Sequence, residues 1–319
     1  MAVDAVTSLL DGPRARSAFL LRVVMEPPFA IRVEDRAPLS LVAVTQGSVT
    51  LYDDQGTVLT LGEGDVAMAR GPDPYTIADA PEREVQVVIH PGQACTSPDG
   101  EDRKAADVLG VRTWGSSADG GVTMVIGTYE RAGEVSRRLL DALPPLAVVR
   151  SGALDSPLVA LLASEIGRDD LGQDAVLDRL LDLLLVTTVR TWFSQPGADA
   201  PAWYQAQADP VVGHALRLLH EQPAEPWTVA SLAREVGVSR ATLARRFADE
   251  VGETPMAFLT SWRLALAADL LCDPDATVAG VASQVGYGTG FALSAAFSRV
   301  RGISPTEHRT LTSTASMVG

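Results

Sequence analysis

The chain has 319 residues, of which 46% are hydrophobic and 21% charged, enough for two or three domains and too apolar for a disordered chain. Its net charge is −14, which argues against a generally basic nucleic-acid coat. The charge is uneven, however: residues 209–319 hold nine arginines and eleven acids, so the acidity lies almost wholly in the first 208 residues.

In chain order, the N-terminus MAVDAVTSLLDGPRAR lacks a basic leader region, so no secretion signal is expected. Residues 28–91 read as β structure. LSLVAVTQ (39–46), SVTLYD (48–53), TVLTL (57–61), DVAMAR (65–70) and VQVVIH (85–90) are short and rich in β-branched residues. Gly47, DDQG, GEGD and GPDP separate them as turns. A further strand is predicted at VTMVIGTYE (122–130). From residue 135 the apolar period becomes helical, in VSRRLLDALP, SPLVALLASEIG and AVLDRLLDLLLVTTVRTWF. The last of these is apolar around more than one face, so it either pairs with a second copy of the chain or lies against the β region. Its longest apolar run, 180–189, contains Asp182 and is too short to span a bilayer. A membrane partner is therefore not expected, and a cytoplasmic location is. Cys95 and Cys272 lie far apart, which also favours a reducing compartment.

The Pro/Ala/Gly-rich segment 195–203 marks a domain boundary, giving domains at 1–200 and 205–312. Beyond it DPVVGHALRLLHEQP (209–223) reads as one helix. A short two-helix unit follows at about 228–250, a long helix over 255–274, and a second such unit at about 277–300.

The two units repeat one pattern. Thr228, Ala233 and Gly237 match Thr277, Ala282 and Gly286 at an offset of 49, and Phe247 matches Phe297 at 50. In the first copy Thr228 and Ser239 are natural N-caps, and Gly237 suits the left-handed turn between the helices. Leu243 and Phe247 face inward. By helical periodicity Arg240, Ala241, Ala244 and Arg245 then face outward, with Arg246 on a flank. Small and basic residues at a capped helix start suit the DNA major groove, where guanidinium groups reach guanine edges or phosphates. The second copy offers Phe291, Ala292, Ser294 and Ala295 instead, with Arg299 and Arg301 beyond them. Phe291 either meets a thymine methyl or packs against the long helix.

The two units, the SWRLALAADLL helix and the ending from Val285 to Arg309 resemble the DNA-binding domain of the AraC/XylS family. The resemblance implies base-facing positions at Ala241, Ala244 and Arg245, and at Gly290, Phe291, Ser294 and Ala295. Family members often carry arginine where this chain has Ala295. The LGEGDVAMARGPDPYTIAD segment (61–79) resembles a cupin barrel of the kind found as a sensor ahead of such domains. The resulting fold class is α+β: a cupin-like barrel with appended helices, then an all-α domain.

The implied function is a transcription regulator that binds double-stranded DNA and answers to a signal in the barrel, the family favouring activation. Its partners would be an unknown small-molecule effector, RNA polymerase and a second copy of the chain. Phe29, Tyr52, Tyr75, Trp114 and Tyr129 are candidate pocket aromatics, or core residues. His90 and Cys95 could sense metal or redox state, or simply pack. The histidine-pair strand signature of metal cupins is absent, and Tyr75 stands where a further histidine would be expected, so no cofactor and no catalytic residue are predicted. A metal-dependent cupin enzyme with a DNA-targeting tail, and a constitutive DNA binder with a vestigial barrel, are the alternatives.

Overall fold

The computed structural model describes residues 19–102, 108–130, 137–154, 156–195, 200–273 and 275–310. The N-terminal stretch and residues 196–199 of the expected boundary segment lie outside them. The chain forms two compact units, one within residues 14–134 and 143–196, the other within 197–317 together with 135–142.

The first unit carries β1 (Phe19–Met25), β2 (Ala30–Val33), β3 (Leu39–Gln46), β4 (Val49–Asp53), β5 (Val58–Leu61), β6 (Val66–Arg70) and β7 (Tyr75–Ala78). It continues with β8 (Val87–His90), β9 (Ala94–Thr96), β10 (Val108–Gly110), β11 (Thr113–Gly115), β12 (Val122–Tyr129) and β13 (Leu146–Val149). One sheet runs β10-β11-β1-β12-β3-β6-β13 and the other β5-β4-β7-β2-β8-β9. Both are mixed, since β1 pairs β11 in parallel and β2 pairs β8 in parallel. Inner residues such as Val42, Val44, Met124, Leu51 and Ile77 form the core between them. This is the expected cupin-like arrangement.

The outer face of the larger sheet is also covered. α1 (Arg137–Asp141) groups with the second unit; α2 (Ser151–Leu154), α3 (Leu158–Glu165) and α4 (Gln173–Phe193) belong to the first. β3 is buried from Leu39 to Val44 on both faces, which is why it reads as a continuous apolar run. Gly127 of β12 faces α4 so closely that a Cβ there would lie 2.3 Å from Leu181 Cδ1. The inner side of α4 (Leu177, Leu181, Leu184, Leu185, Val189) is buried, while Val176 and Leu183 remain exposed. Of the two readings of this helix, burial against the sheet therefore holds for its inner face.

The GEGD turn has a structural purpose. Asp65 accepts hydrogen bonds from the backbone N–H of Gly62 (2.9 Å) and Ser151 (2.8 Å) and from Arg150 (2.9 Å). Burial alone would raise its pKa, but these donors outweigh burial and hold it below the usual carboxylate range. The turn is thereby pinned to the start of α2. β13 corrects the sequence reading, which passed through residues 146–149 as part of a helical stretch. Its four apolar residues pair with β6 and close the sheet.

The second unit is helical: α5 (Ala202–Gln205), α6 (Val212–Glu221), α7 (Val229–Glu235), α8 (Arg240–Val251), α9 (Pro255–Leu270), α10 (Val278–Gln284), α11 (Gly290–Arg301) and a last segment, 305–310. Two cores share α9. Phe258, Leu259 and Trp262 join Leu232, Leu243 and Phe247 in the first, and Leu264, Ala267 and Ala268 join Val281, Leu293 and Phe297 in the second. Trp203, from the end of the boundary segment, packs in the first core edge-on to His220.

Candidate DNA-reading face and sensor cavity

Both two-helix units are built as their sequences dictate. Thr228 caps α7 through a reciprocal pair of bonds with Ser231, and Ser239 caps α8 by accepting the Thr242 N–H. Gly237 takes a φ of 73° between the two helices. In the second unit Thr277 and Thr289 cap α10 and α11, and Gly286 takes a φ of 80°. A Cβ on Gly286 would also strike the Ala224 backbone at 2.7 Å, so this turn requires glycine twice over. Arg263 of α9 donates to Pro223 O (2.6 Å) and Glu225 O (2.7 Å), tying the α6–α7 loop to the shared helix.

On α8, Arg240, Ala241 and Arg245 are exposed and Ala244 half-buried. Neither Arg240 nor Arg245 has an ion-pair partner among the described residues. Arg246 differs: its guanidinium pairs with Asp209. The Val212 N–H, followed by that of Val211 and by Arg246, holds the Asp209 carboxyl below its usual range despite burial. Arg246 thus fastens α8 to the start of α6.

On α11, Phe291 is 84% exposed, which removes the alternative that it packs against α9. Ala292 and Ala295 are exposed beside it, and Gly290 starts the helix. The Ser294 hydroxyl donates to Gly290 O at 2.8 Å, so its proton is spent within the helix. Arg299 is exposed, whereas Arg301 lies 5.6 Å over the Phe297 ring and faces Asp269 of α9. Burial pushes the Asp269 carboxyl up to about 7, with Arg301 opposing.

The first unit has a partly open cavity of about 260 Å³ between its sheets. Strand parity decides who reaches it. Tyr75 and Trp114 line it, together with Leu21, Ile31, Val33 and Ile126. The other three candidate aromatics do not line it. Phe29 is a fully buried core residue, and Tyr52 lies on the opposite parity of β4 from the core residues Val49 and Leu51. Tyr129 is on the outer face of β12, where its hydroxyl donates to Asp182 of α4 at 3.2 Å.

His90 and Cys95 also part company. Cys95 pairs with Ile89 and faces the cavity, its thiol 3.7 Å from Gln93 O. His90 lies on the other parity of β8, its Nε2 bonded to Thr96 Oγ1 at 2.8 Å. A metal shared by His90 and Cys95 is thereby corrected: the two side chains lie on opposite faces of one sheet. Among the described residues no group of three or more His, Cys, Asp or Glu side chains is placed to hold a metal.

The cavity's acid was not foreseen. Asp35 follows β2 in the charged string RVEDRAP, which the sequence reading did not single out. Its carboxyl accepts the Ala37 N–H (3.0 Å) and the Gln93 side chain (3.4 Å). Burial raises its pKa above the ordinary value, and burial together with Asp35 pushes the Tyr75 phenol above its usual range. Arg112, which also lines the cavity, is engaged, donating to Asp174 (2.5 Å) and Arg168 O (3.0 Å).

Comparison with known proteins matches this architecture. Residues 4–194 match a family model described as Cupin, and residues 232–310 one described as Helix-turn-helix domain. An AraC-like transcription regulator of Streptomyces lividans is 32% identical over 313 residues, 96% of this chain and 98% of that protein. The regulator AlkR of Acinetobacter baylyi is 27% identical over 96% of this chain and 99% of its own. Among solved structures, the DNA-binding domain of AdpA in complex with a target DNA is 33% identical, covering 33% of this chain and 93% of that one, with a TM-score of 0.31. The chain belongs to the AraC-like transcription regulators, with a cupin domain ahead of a helix-turn-helix DNA-binding domain.

Proposed function

We propose that the two units of the helical domain read one DNA site by different chemistry. α8 supplies polar readout through Arg240 and Arg245, with Ala241 and Ala244 allowing close approach. α11 supplies apolar readout, Phe291 and Ala295 meeting thymine methyls, while Arg299 anchors a phosphate. Arg246 and Arg301, the other two arginines of these helices, act on geometry, since each faces an acid of its own domain. The single observation that carries this reading is a capped helix presenting two arginines that have no ion-pair partner among the described residues.

The first unit senses a small molecule in its cavity and acts as a regulatory rather than a catalytic domain. The protein works in the cytoplasm as a homodimer that uses the exposed Val176 and Leu183 of α4, and it engages RNA polymerase as an activator. Selection of bound sequences from a random DNA pool tests the readout. Arg245→Ala should lose base preference at one or two positions, at a cost of about 1–3 kcal/mol in binding the selected site. An unchanged preference would remove Arg245 from the reading face. Sedimentation of Leu183→Glu tests the dimer: a wild-type monomer, or a variant that still dimerises, counts against the α4 interface.

A further inference from the structure

The cavity pairs an apolar wall with one acid that lacks a counter-charge. Leu21, Val23, Ile31, Val33, Ile89 and Ile126 supply the aliphatic wall, and Tyr75 and Trp114 two aromatic surfaces. Asp35 is its acid, and no cation pairs with it among the described residues. The one arginine lining the cavity, Arg112, is committed to Asp174 and a backbone carbonyl. A carboxylate offers roughly four acceptor sites; Asp35 engages the Ala37 N–H, the Gln93 side chain at a long 3.4 Å and its own backbone N–H, none of them a cation. A part-buried carboxylate without a cation is costly, and its pKa is accordingly raised.

We propose that the cavity takes a compact hydrophobic organic cation, a protonated amine whose ammonium group meets Asp35 and whose apolar body fills the aliphatic and aromatic wall. Four features support that choice over a neutral or anionic ligand. The ammonium supplies the missing counter-charge and up to three donors for the open acceptor sites of Asp35. Aromatic faces attract cations. The surplus of acids in the first 208 residues draws cations toward this domain and repels anions. A carboxylate ligand would meet Asp35 as a like charge, with Arg112 already engaged. The volume sets the scale: at about 30 Å³ for each water-sized group, 260 Å³ corresponds to about nine such groups, which suits a compact molecule with one ring.

The proposal rests on the reading of the first unit as the sensor. It is tested on the full chain with three probes that share one apolar body: 4-ethylbenzylamine, 4-ethylbenzyl alcohol and 4-ethylbenzoate. Calorimetry at pH 7 should show the amine binding about tenfold or more tighter than the alcohol, with the benzoate weakest. In Asp35→Asn the gap between amine and alcohol should close while alcohol binding persists. An amine no tighter than the alcohol, a benzoate that binds best, or no binding of any probe would overturn the proposal. If Asp35→Asn does not fold, the ranking on the wild-type protein decides. Binding to selected DNA is measured on the same samples. A protein that binds no amine preferentially sinks the cation proposal, whereas an amine that binds as ranked but leaves the affinity for selected DNA unchanged sinks the sensor reading and leaves the cavity chemistry standing.

Discussion

Asp269 shows how one carboxyl can tax a domain. It sits on α9 facing Arg301, and burial lifts its pKa to about 7. A carboxyl raised in the folded state binds its proton more tightly there than in the unfolded chain. Stability is therefore full below about pH 4 and declines as pH rises toward 7. Asp269→Asn removes that decline. It should stabilise the protein by up to about 4 kcal/mol at pH 8 and leave it nearly unchanged at pH 4, as read by denaturant unfolding at both pH values. Equal gains at the two would mean the carboxyl is not the cause. Phe291 makes a second prediction at this scale. Replacing thymine by uracil at the contacted positions removes only the methyl group. Wild-type affinity should fall by about 0.8 kcal/mol for each contacted methyl, while Phe291→Ala should be indifferent to the swap. The exposed placement of Phe291 was open in the sequence, because a recognition helix and a buried helix share the same inner spacing. The partners of Arg246 and Arg301 were not legible, since Asp209 and Asp269 lie 37 and 32 residues away along the chain.

At the scale of the element, caps and turn glycines made the helical repeat readable to within a residue or two. Thr228, Ser239, Gly237 and Gly286 each carry a local physical requirement that survives in the sequence. The β strands were less evenly visible. β3, β4, β5, β6, β8 and β12 announced themselves, whereas β1, β9, β10 and β11 did not. β13 was lost in a helical stretch because four apolar residues have no period of their own. Parity misled the choice of pocket aromatics, because Tyr52 and Tyr129 sit one position away from inward-facing neighbours. The seat of α4 gives a test. Gly127→Val thrusts side-chain atoms toward Leu181 and should cost about 1–3 kcal/mol of stability. Combining it with Leu181→Ala should cost less than the sum of the two single changes, measured as a double-mutant cycle. Strict additivity would place α4 elsewhere.

For the whole molecule, the partition of charge sets how DNA is bound. The helical domain has only nine arginines in residues 209–319, and Arg246, Arg263 and Arg309 are tied to groups within that domain. Few are left for phosphates, and the domain ahead of them is strongly acidic. Binding should therefore be only moderately salt-dependent, with a log–log slope of about −3 to −5. Affinity measured from 50 to 300 mM salt gives the slope, and a value near −10 would contradict this picture. The acidic half instead favours the charge expected of the sensed molecule. Asp35 and Gln93, two of the polar groups lining the cavity, come together from 58 residues apart, a convergence no local pattern could reveal.

The shared helix α9 has a consequence for how such a protein can vary. Its first half serves one core and its second half the other, with Leu266 touching both. It therefore fixes the phase of one reading head against the other, like the keyway on a shaft. Substitutions on the outward faces of α8 and α11 leave that phase alone. Inserting a single residue in the 16-residue α9 would turn one head by about 100° and shift it about 1.5 Å. If the proposed faces read the bases, changes of face would re-address the protein to a new sequence, whereas a change of length would leave two sound heads that cannot fit the same duplex together.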